Sequence, residues 1–334
     1  MFKKILFFTD IHFGLKSNSK QHNQDCIDFI KWAIQMGKEH GCDTCAFLGD
    51  WHHNRASVNV STLNYSVQAV DLLSKGFDQM IMIPGNHDEH YRDTRDMNSI
   101  VWMKNYSNVR FFDDITVDQE VAVVPWLVGD EHKRIPKLDC RYMLGHFELP
   151  NFYMNAMVRM PETGELRRED FVAPERLFTG HFHKRQLDKN INYIGNCFPH
   201  NYADTNDDER GITILEWGGT EEYYAWPNAP SFRKYKLSDV LSNTDSLLLP
   251  NMYCRVEIDI DISYEEANFI KEQFVGQYGL RELSLIPQAN EELERTFEGE
   301  VNFESVDSIV TSHLTQLDSP NYDQSLMLDI YRNL

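Results

Sequence analysis

Short apolar segments alternate with longer amphipathic segments through residues 1–217. The apolar segments have few polar interruptions, as is typical of strands buried on both faces, whereas the amphipathic ones repeat apolar residues at intervals of three and four, as helices do. The predicted strands are residues 5–8, 46–48, 80–83, 121–124, 142–144, 177–178, 191–194 and 211–217, and the predicted helices are 25–38 and 61–75. This alternation indicates a layered α/β domain.

The pattern changes at residues 226–230, Trp-Pro-Asn-Ala-Pro, because two prolines interrupt regular structure there. After this point, residues 253–262 alternate as in a strand, and Ser263 is suited to cap a following helix. We therefore expect a main domain at 1–230, a linker at 231–249, a small α+β module at 250–290, an acidic linker at 291–304 and a helical tail at 305–334.

The composition is that of a globular protein, since 42% of the 334 residues are hydrophobic and 25% are charged. No apolar run approaches the roughly 20 residues that a membrane-spanning helix requires. Two lysines precede the first apolar run, as in a signal peptide, but Asp10 and His12 end that run early. We therefore expect a cytoplasmic protein without a membrane segment.

The chain is strongly acidic, with 52 acidic and 32 basic residues and a formal charge of −20. Such a charge argues against non-specific attraction to nucleic acid or to anionic membranes. The acidity is uneven, however, because residues 235–334 hold 19 acidic and 6 basic side chains. It therefore does not exclude DNA as a ligand of the main domain, but it predicts weak and salt-sensitive binding by this chain alone.

Five of the apolar segments end in side chains that can bind metal ions, usually after a glycine that permits a tight turn. These ends are Asp10-x-His12, Gly49-Asp50, Gly85-Asn86-His87-Asp88, Gly145-His146 and Gly180-His181-x-His183. A single Gly-Asp or Gly-His pair is usually no more than a turn. Five of them matter because parallel strands end at one edge of their sheet, where ligands bind. Histidines outside the five ends, including His22 and His200, are interpreted as ordinary core or surface residues.

Spacing and ligand type point to two neighbouring cations. In Asp10-x-His12 and His181-x-His183 the paired side chains lie on one face of an extended segment, roughly 6–7 Å apart. Dinuclear phosphoryl-transfer sites hold their metals roughly 3.5–4 Å apart, which this spacing suits. Carboxylate, amide and imidazole ligands without a thiolate favour two Mn²⁺ ions, with Mg²⁺, Fe or Zn as alternatives.

The five blocks in this order resemble the calcineurin-like metallophosphoesterase family, whose motifs D-x-H, G-D, G-N-H-[DE], G-H and G-H-x-H they match one for one. The resemblance implies an α/β fold of four layers, in which two β-sheets are flanked by helices. It also implies phosphoester hydrolysis at two metals that share Asp50, with His87 as a catalytic histidine that is not a ligand. One metal would be held by Asp10, His12, Asp50 and His183, and the other by Asp50, Asn86, His146 and His181.

The second block continues as Gly49-Asp50-Trp51-His52-His53, with a histidine three residues after the shared aspartate. This resembles the SbcD-type DNA-repair nuclease branch, most closely the recombination endonuclease subunits of large bacteriophages, in which that histidine assists exonuclease action. His53 takes this place, while His52 is interpreted as structural. Residues 145–153 and 326–329 are also similar to segments of those proteins.

The resemblance to this branch implies a DNA exonuclease and endonuclease that acts in repair and recombination. Its implied partners are DNA and an SbcC-type coiled-coil ABC ATPase, which would bind residues 305–334, while 250–290 would be a capping domain over DNA. A homodimer within a heterotetramer is expected, with the helix at 61–75 as the candidate interface. Arg55, Lys184 and Arg185 are the expected DNA contacts. If the chain is phage-encoded, its cytoplasm is that of the infected host cell.

Two other functions fit parts of the sequence. A small-molecule or nucleotide phosphodiesterase would use the same metal site, but it would need a closed pocket and no tail at 305–334. A scaffold with an inactive site would need no metal ligands, and it is disfavoured because every ligand position in the five blocks is filled.

Overall fold

Two six-stranded β-sheets and a smaller third sheet form the framework of the computed structural model, which describes residues 2–287. The strands are β1 (Lys4–Phe8), β2 (Thr44–Phe47), β3 (Gln79–Met82), β4 (Val109–Phe111), β5 (Thr116–Asp118), β6 (Val121–Val124), β7 (Tyr142–His146), β8 (Arg176–Gly180), β9 (Gln186–Asp188), β10 (Ile191–Tyr193), β11 (Gly211–Glu216), β12 (Glu221–Ala225), β13 (Ser231–Lys236), β14 (Met252–Ile258) and β15 (Glu282–Pro287). Their order is β12-β11-β1-β2-β3-β4 in the first sheet, β5-β6-β7-β8-β10-β9 in the second and β13-β14-β15 in the third. The predicted acidic linker at 291–304 and helical tail at 305–334 lie outside the described residues.

Two long helices, α2 and α3, cover the first sheet, and both correspond to predicted helices. The helices are α1 (Leu15–Asn18), α2 (Lys20–His40), α3 (Val60–Gly76), α4 (Leu237–Ser242), α5 (Thr244–Leu247) and α6 (Tyr264–Tyr278), with 3₁₀ helices at Val101–Asn105, Gly129–Lys137, Arg168–Phe171 and Tyr202–Asp204. Ser19 caps α2 by accepting from the backbone N–H of His22, and Asn59 caps α3 by accepting from that of Ser61. No helix among residues 2–287 is both long enough and apolar enough to cross a membrane.

Alternate residues of the strands fill separate core layers. In β1, Leu6 and Phe8 pack with α2 and α3, whereas Ile5 and Phe7 pack between the two large sheets. Phe7 stacks on Phe178 of β8 with a distance of 4.7 Å between ring centroids. The outer face of the second sheet packs against loops and 3₁₀ helices instead of α-helices. The expected helical layer is therefore present on one side of the sheet pair only, because the connections between β6, β7 and β8 contain no long amphipathic segment.

Strand direction brings the ends of both sheets to one edge. Strands β1, β2 and β3 run parallel in the first sheet, and β6, β7 and β8 run parallel in the second. The two edges meet where Nδ1 of His146, at the end of β7, donates to the carbonyl oxygen of Leu48, just after β2, at 2.7 Å. All five ligand-bearing segments therefore begin from this shared edge.

The third sheet has a small core of its own. Residues 231–249, expected as a linker, contain β13, α4 and α5, and β13 pairs in parallel with β14. Leu237, Val256 and Leu283 are buried together in that core. The predicted cap of α6 is confirmed, since Ser263 Oγ accepts from the backbone N–H of Glu266 at 3.2 Å. The division into a main and a capping domain remains a prediction.

Contacts with α2 and the turn before it attach the third sheet to the rest of the described chain. Arg281 forms an ion pair with Asp25 of α2 at 2.9 Å. The ammonium group of Lys16 lies 3.8 Å from the ring centroid of Tyr253, and burial lowers the pKa of Lys16 to about 8. These contacts lie near the N-terminal end of α2, which follows the first ligand segment in the chain.

The stacked pair between the sheets predicts a large loss of stability when one ring is removed. Phe178→Ala should lower the free energy of unfolding by about 3–5 kcal/mol, because both rings are fully buried and a cavity would remain. Leu187→Ala, at a position 59% exposed on β9, is the control and should change it by less than about 0.5 kcal/mol. Urea unfolding followed by circular dichroism measures both, and equal effects would contradict the assigned packing between the sheets.

Candidate metal centre

Left-handed turns direct the ligand side chains inward from the strand ends. Asp10, His12, Asp50 and His181 have φ values of 52°, 51°, 63° and 86°. Residues other than glycine seldom adopt positive φ, and such positions cluster at functional sites. The turns support one another through backbone hydrogen bonds. The N–H of Asp10 donates to the carbonyl oxygen of Gly49 at 3.0 Å, and that of His12 donates to the backbone carbonyl oxygen of Asp50 at 3.1 Å.

Close approach, more than positive φ, explains two of the glycines in the blocks. A Cβ at Gly85 would collide with the backbone nitrogen and the carboxylate of Asp50. A Cβ at Gly180 would collide with the hydroxyl of Thr9 and the carboxylate of Asp10. Of the blocks that contain glycine, only the one at Gly49, with a φ of 100°, needs it for the turn itself. The glycines therefore let neighbouring ligand segments pack against each other.

One group of predicted ligands gathers around Asp10. The ligand atoms of Asp10, His12 and His183 all lie within 4.8 Å of one another. Nε2 of His12 lies 3.8 Å from Oδ1 of Asp10 and 3.7 Å from Oδ2 of Asp50, and Nε2 of His183 lies 4.0 Å from Oδ1 of Asp10. The structure thus brings together the four residues predicted for the first cation.

A second group gathers on the other side of Asp50. The ligand atoms of Asp50, His146 and His181 lie within 4.8 Å of one another. The amide oxygen of Asn86 lies 2.8 Å from Nδ1 of His181 and 3.1 Å from Nε2 of His146. Nε2 of His146 also lies 3.6 Å from Oδ1 of Asp50. Asp50 is therefore within reach of both groups.

The donor atoms of the first group fit a divalent cation. Oδ1 of Asp10 and both ring nitrogens of His12 are buried and find no hydrogen-bond partner among the described residues. A buried polar atom without a partner costs roughly 1–3 kcal/mol, so native proteins seldom leave several together. Mixed carboxylate, amide and imidazole donors suit Mn²⁺, Fe or Zn. Coordination of a cation would give these atoms the partners they lack.

The electrostatics of the protein alone show an excess of negative charge. Burial raises the pKa of Asp10 to about 7, and the nearby charge of Asp50 adds to the rise while His146 opposes it. Burial opposes protonation of His146, but the charge of Asp50 raises the pKa of that imidazole to about 9. Both shifts favour protonation of groups next to the two carboxylates, as expected of a site that binds cations.

His87 and His53 lie beside the first group. Nδ1 of His87 donates to the backbone carbonyl of His53 at 2.7 Å, and the backbone N–H of His87 donates to Oδ1 of Asp50 at 2.8 Å. The two imidazoles stack with ring centroids 5.4 Å apart, and the ring of His12 lies 4.9 Å from that of His87. Both are only partly buried, and burial lowers the pKa of His53. The predicted catalytic pair is thus adjacent to the ligands and accessible.

Two of the three predicted DNA contacts have partners within the chain. Lys184 forms an ion pair with Asp207 at 3.4 Å, and the guanidinium of Arg185 lies 3.5 Å from the ring centroid of Tyr223. Arg55 is half-exposed on the loop that carries His53. Lys184 and Arg185 would therefore have to give up these contacts to bind DNA, so Arg55 is the most available of the three.

Sequence reasoning missed two residues that shape the site. The fully buried carboxylate of Asp88 accepts the backbone N–H groups of Gly85, Asp50, Trp51 and His52 at 2.9–3.0 Å. Oε2 of Glu148 lies 3.2 Å from Nε2 of His181. Asp88 belongs to the third block, but the sequence does not show whether its carboxylate binds a metal or the backbone. Glu148, two residues after His146, has no distinguishing sequence signal.

A curated relative covers almost the whole chain. Over 326 residues the chain is 24% identical to exonuclease subunit 1 of enterobacteria phage T4, which spans 94% of this chain and 93% of that protein.

Solved structures similar to this chain include nuclease MPE of Pseudomonas putida (15% identity, 64% of this chain, 84% of that chain, TM-score 0.32), the phosphoesterase Yfce of E. coli (12%, 64%, 88%, 0.32) and a dimetal phosphatase of Danio rerio (10%, 64%, 92%, 0.33).

The sequence also matches a family of known enzymes over residues 3–185, which is more than half of its length. The matched region contains all five ligand blocks, and its strands end at the edge where the two groups of ligands meet. On this match, the chain belongs to the calcineurin-like phosphoesterase family.

Proposed function

We propose that this protein is a metal-dependent DNA nuclease, acting as exonuclease and endonuclease, that hydrolyses phosphodiester bonds at a site for two cations. The observation that carries the proposal is the position of Asp50, whose carboxylate lies within reach of both groups of ligands. The first cation would be held by Asp10, His12, Asp50 and His183, and the second by Asp50, Asn86, His146 and His181.

Second contacts of the histidines orient them for this task. Nδ1 of His146 donates to the carbonyl of Leu48, so its Nε2 is left to bind a cation. Glu148 accepts from Nε2 of His181, so Nδ1 of His181 is left to bind a cation. Two Mn²⁺ ions, or Mg²⁺, Fe or Zn, would supply positive charge that activates water and stabilises the transition state at phosphorus.

His87 is suited to act on the leaving group. Its Nδ1–H is held by the carbonyl of His53, which fixes the ring and leaves Nε2 to carry a proton. As the water oxygen bonds to phosphorus and its released proton passes to solvent, the bond from phosphorus to the leaving oxygen breaks, and His87 stabilises or protonates that oxygen. The products are a phosphate monoester and a hydroxyl group.

DNA as the substrate rests on the relative and on His53. Exonuclease subunit 1 of phage T4 aligns with nearly the whole chain, including the parts beyond the family match. The half-exposed ring of His53 stacks on His87, at a place where the end of a DNA strand can approach. Arg55 lies two residues further along the same loop, and we include it with Lys184 and Arg185 as proposed DNA contacts.

A small-molecule or nucleotide phosphodiesterase is the second candidate function. One feature favours it, a cavity of about 200 Å³ next to the second ligand group, although this cavity is open to solvent and is not the closed pocket expected of such an enzyme. Trp126, Phe147 and Leu166 line this cavity together with His146, and a small phosphoester could enter it.

The assembly proposed for this protein is a homodimer joined to an SbcC-type ABC ATPase through residues 305–334, with 250–290 as the capping domain. The α3 helix supports the dimer, because Val60, Leu63 and Val67 share one face and are 75%, 40% and 37% exposed. A partner with a basic surface would compensate for the charge of −20 when the complex binds DNA.

The proposed activity is tested with Mn²⁺ on linear double-stranded DNA and on bis(p-nitrophenyl) phosphate. The wild-type protein should cleave the DNA, and Asp50→Asn should lower both rates by at least roughly 10³-fold, because it removes the ligand shared by both cations. Asp28→Asn, on the exposed face of α2, is the matched control and should behave as wild type. Turnover of the small ester without any DNA cleavage would favour the second candidate function.

His53→Ser separates the two nuclease activities. The substitution keeps the backbone carbonyl that holds His87 but removes the exposed ring, so the exonuclease rate should fall roughly tenfold or more while endonuclease action on circular single-stranded DNA falls less. His90→Ser, at an exposed position after the third block, serves as the control. Equal loss of both activities would contradict the role assigned to His53.

A further inference from the structure

Four consecutive carbonyl groups in the first ligand segment accept hydrogen bonds from buried side chains. The donors are Cys197 to Thr9 (3.2 Å), His200 to Asp10 (2.8 Å), Cys26 to Ile11 (3.5 Å) and His22 to His12 (2.9 Å), the histidines acting through Nε2. All four donors are buried, and they come from α2 and from the segment that follows β10. Side-chain hydrogen bonds to its carbonyl groups therefore fix the backbone of residues 9–12.

The unusual backbone of this segment explains why it needs such donors. Asp10 and His12 have positive φ, so the segment leaves the sheet. Its N–H groups still pair with the neighbouring segment, since those of Asp10 and His12 donate to Gly49 and Asp50. The carbonyl groups face the core between α2 and the segment after β10, where an unpaired carbonyl would cost roughly 1–3 kcal/mol. That of His12 also accepts from the backbone N–H of Leu15 at 3.1 Å.

His22 and His200 are well suited to this position, because both rings are almost fully buried and lie within hydrogen-bond distance of the carbonyl groups of the first ligand segment. A neutral imidazole carries one N–H, and in each ring the nitrogen next to the carbonyl is Nε2. Neither ring belongs to the five blocks, and neither is within the two ligand groups.

We propose that His22 and His200 are positioning residues for the first cation, because they fix the backbone turn that aims the side chains of His12 and Asp10. This inference rests on the proposed metal site. It predicts a larger effect on the first cation, since the ligands of the second lie on other segments. Their side chains have separate supports, Leu48 for His146 and Glu148 for His181, while the backbone N–H of His181 also donates to Oδ2 of Asp10 at 3.0 Å. A general loss of stability would affect both sites alike.

The test compares His200→Leu with His200→Gln in the full-length protein. Leucine removes the donor, whereas the amide of glutamine can place an N–H where Nε2 was. His200→Leu should weaken one of two Mn²⁺ sites by roughly 10–100-fold, the effect known for lost partners of metal ligands, and should change the other much less. His200→Gln should restore the first site to within a few-fold of wild type. Calorimetric titration with Mn²⁺ gives both affinities, and electron paramagnetic resonance should change from a spin-coupled pair to a mononuclear signal.

His40→Leu is the control, because His40 is a partly buried histidine at the opposite end of α2 from His22, where its ring centroid lies 4.6 Å from that of Tyr224 and not beside a ligand segment. It should lower the melting temperature without changing either Mn²⁺ affinity. If His200→Leu does not fold, the pair His22→Leu and His22→Gln replaces it, with the same direction but a smaller weakening expected, because the carbonyl of His12 also accepts from the backbone N–H of Leu15 at 3.1 Å.

Three results would overturn the inference. They are wild-type affinity at both sites in the leucine variants, equal weakening of both sites, and equal loss in the leucine and glutamine variants. Failure of the proposed function looks different, since a wild-type protein that binds two Mn²⁺ ions but does not cleave DNA contradicts the nuclease and leaves the positioning role intact. A wild-type protein that binds no Mn²⁺ overturns both.

Discussion

Two carboxylates, Asp10 and Asp50, lie buried where the strands of both large sheets end, and their charges have to be balanced. The surrounding architecture serves this requirement. Parallel strands deliver five segments to one edge, and left-handed turns at Asp10, His12 and Asp50 direct the side chains towards each other. A ring nitrogen of His183 then lies within 4.8 Å of the Asp10 carboxylate, and one of His146 lies within 4.8 Å of the Asp50 carboxylate.

The site depends on a second layer of contacts that hold backbone instead of cations. Asp88 gathers four N–H groups and so sets the course of the chain around Asp50. On the opposite side, His22 and His200 bond to carbonyl groups of the first segment. Because residues with positive φ relax readily when their hydrogen bonds are lost, such contacts determine whether ligands that are present can also act together.

The meeting of the proposed ligands at one edge could be predicted from sequence, whereas the residues that support them could not. Asp10, Asp50 and His146 each follow an apolar run, and that simple rule was enough to place them at one sheet edge. Glu148 contacts a ring nitrogen of His181, whereas His22 and His200 contact backbone carbonyl groups. Because these partners lie elsewhere in the sequence, nothing in the local pattern distinguishes the three residues from ordinary polar or core residues. Edge strands such as β5 and β9 were missed for a related reason, since three-residue strands that are partly exposed carry little hydrophobic signal.

The proposed function requires that two divalent cations share Asp50. Anomalous X-ray scattering at the manganese edge, from crystals grown with Mn²⁺, locates such cations. Two peaks per chain are expected, roughly 3.5–4 Å apart, with the Asp50 carboxylate between them. One peak should lie among Asp10, His12 and His183, and the other among Asn86, His146 and His181. A single peak at saturating Mn²⁺, or a pair of peaks that Asp50 does not bridge, would contradict this arrangement.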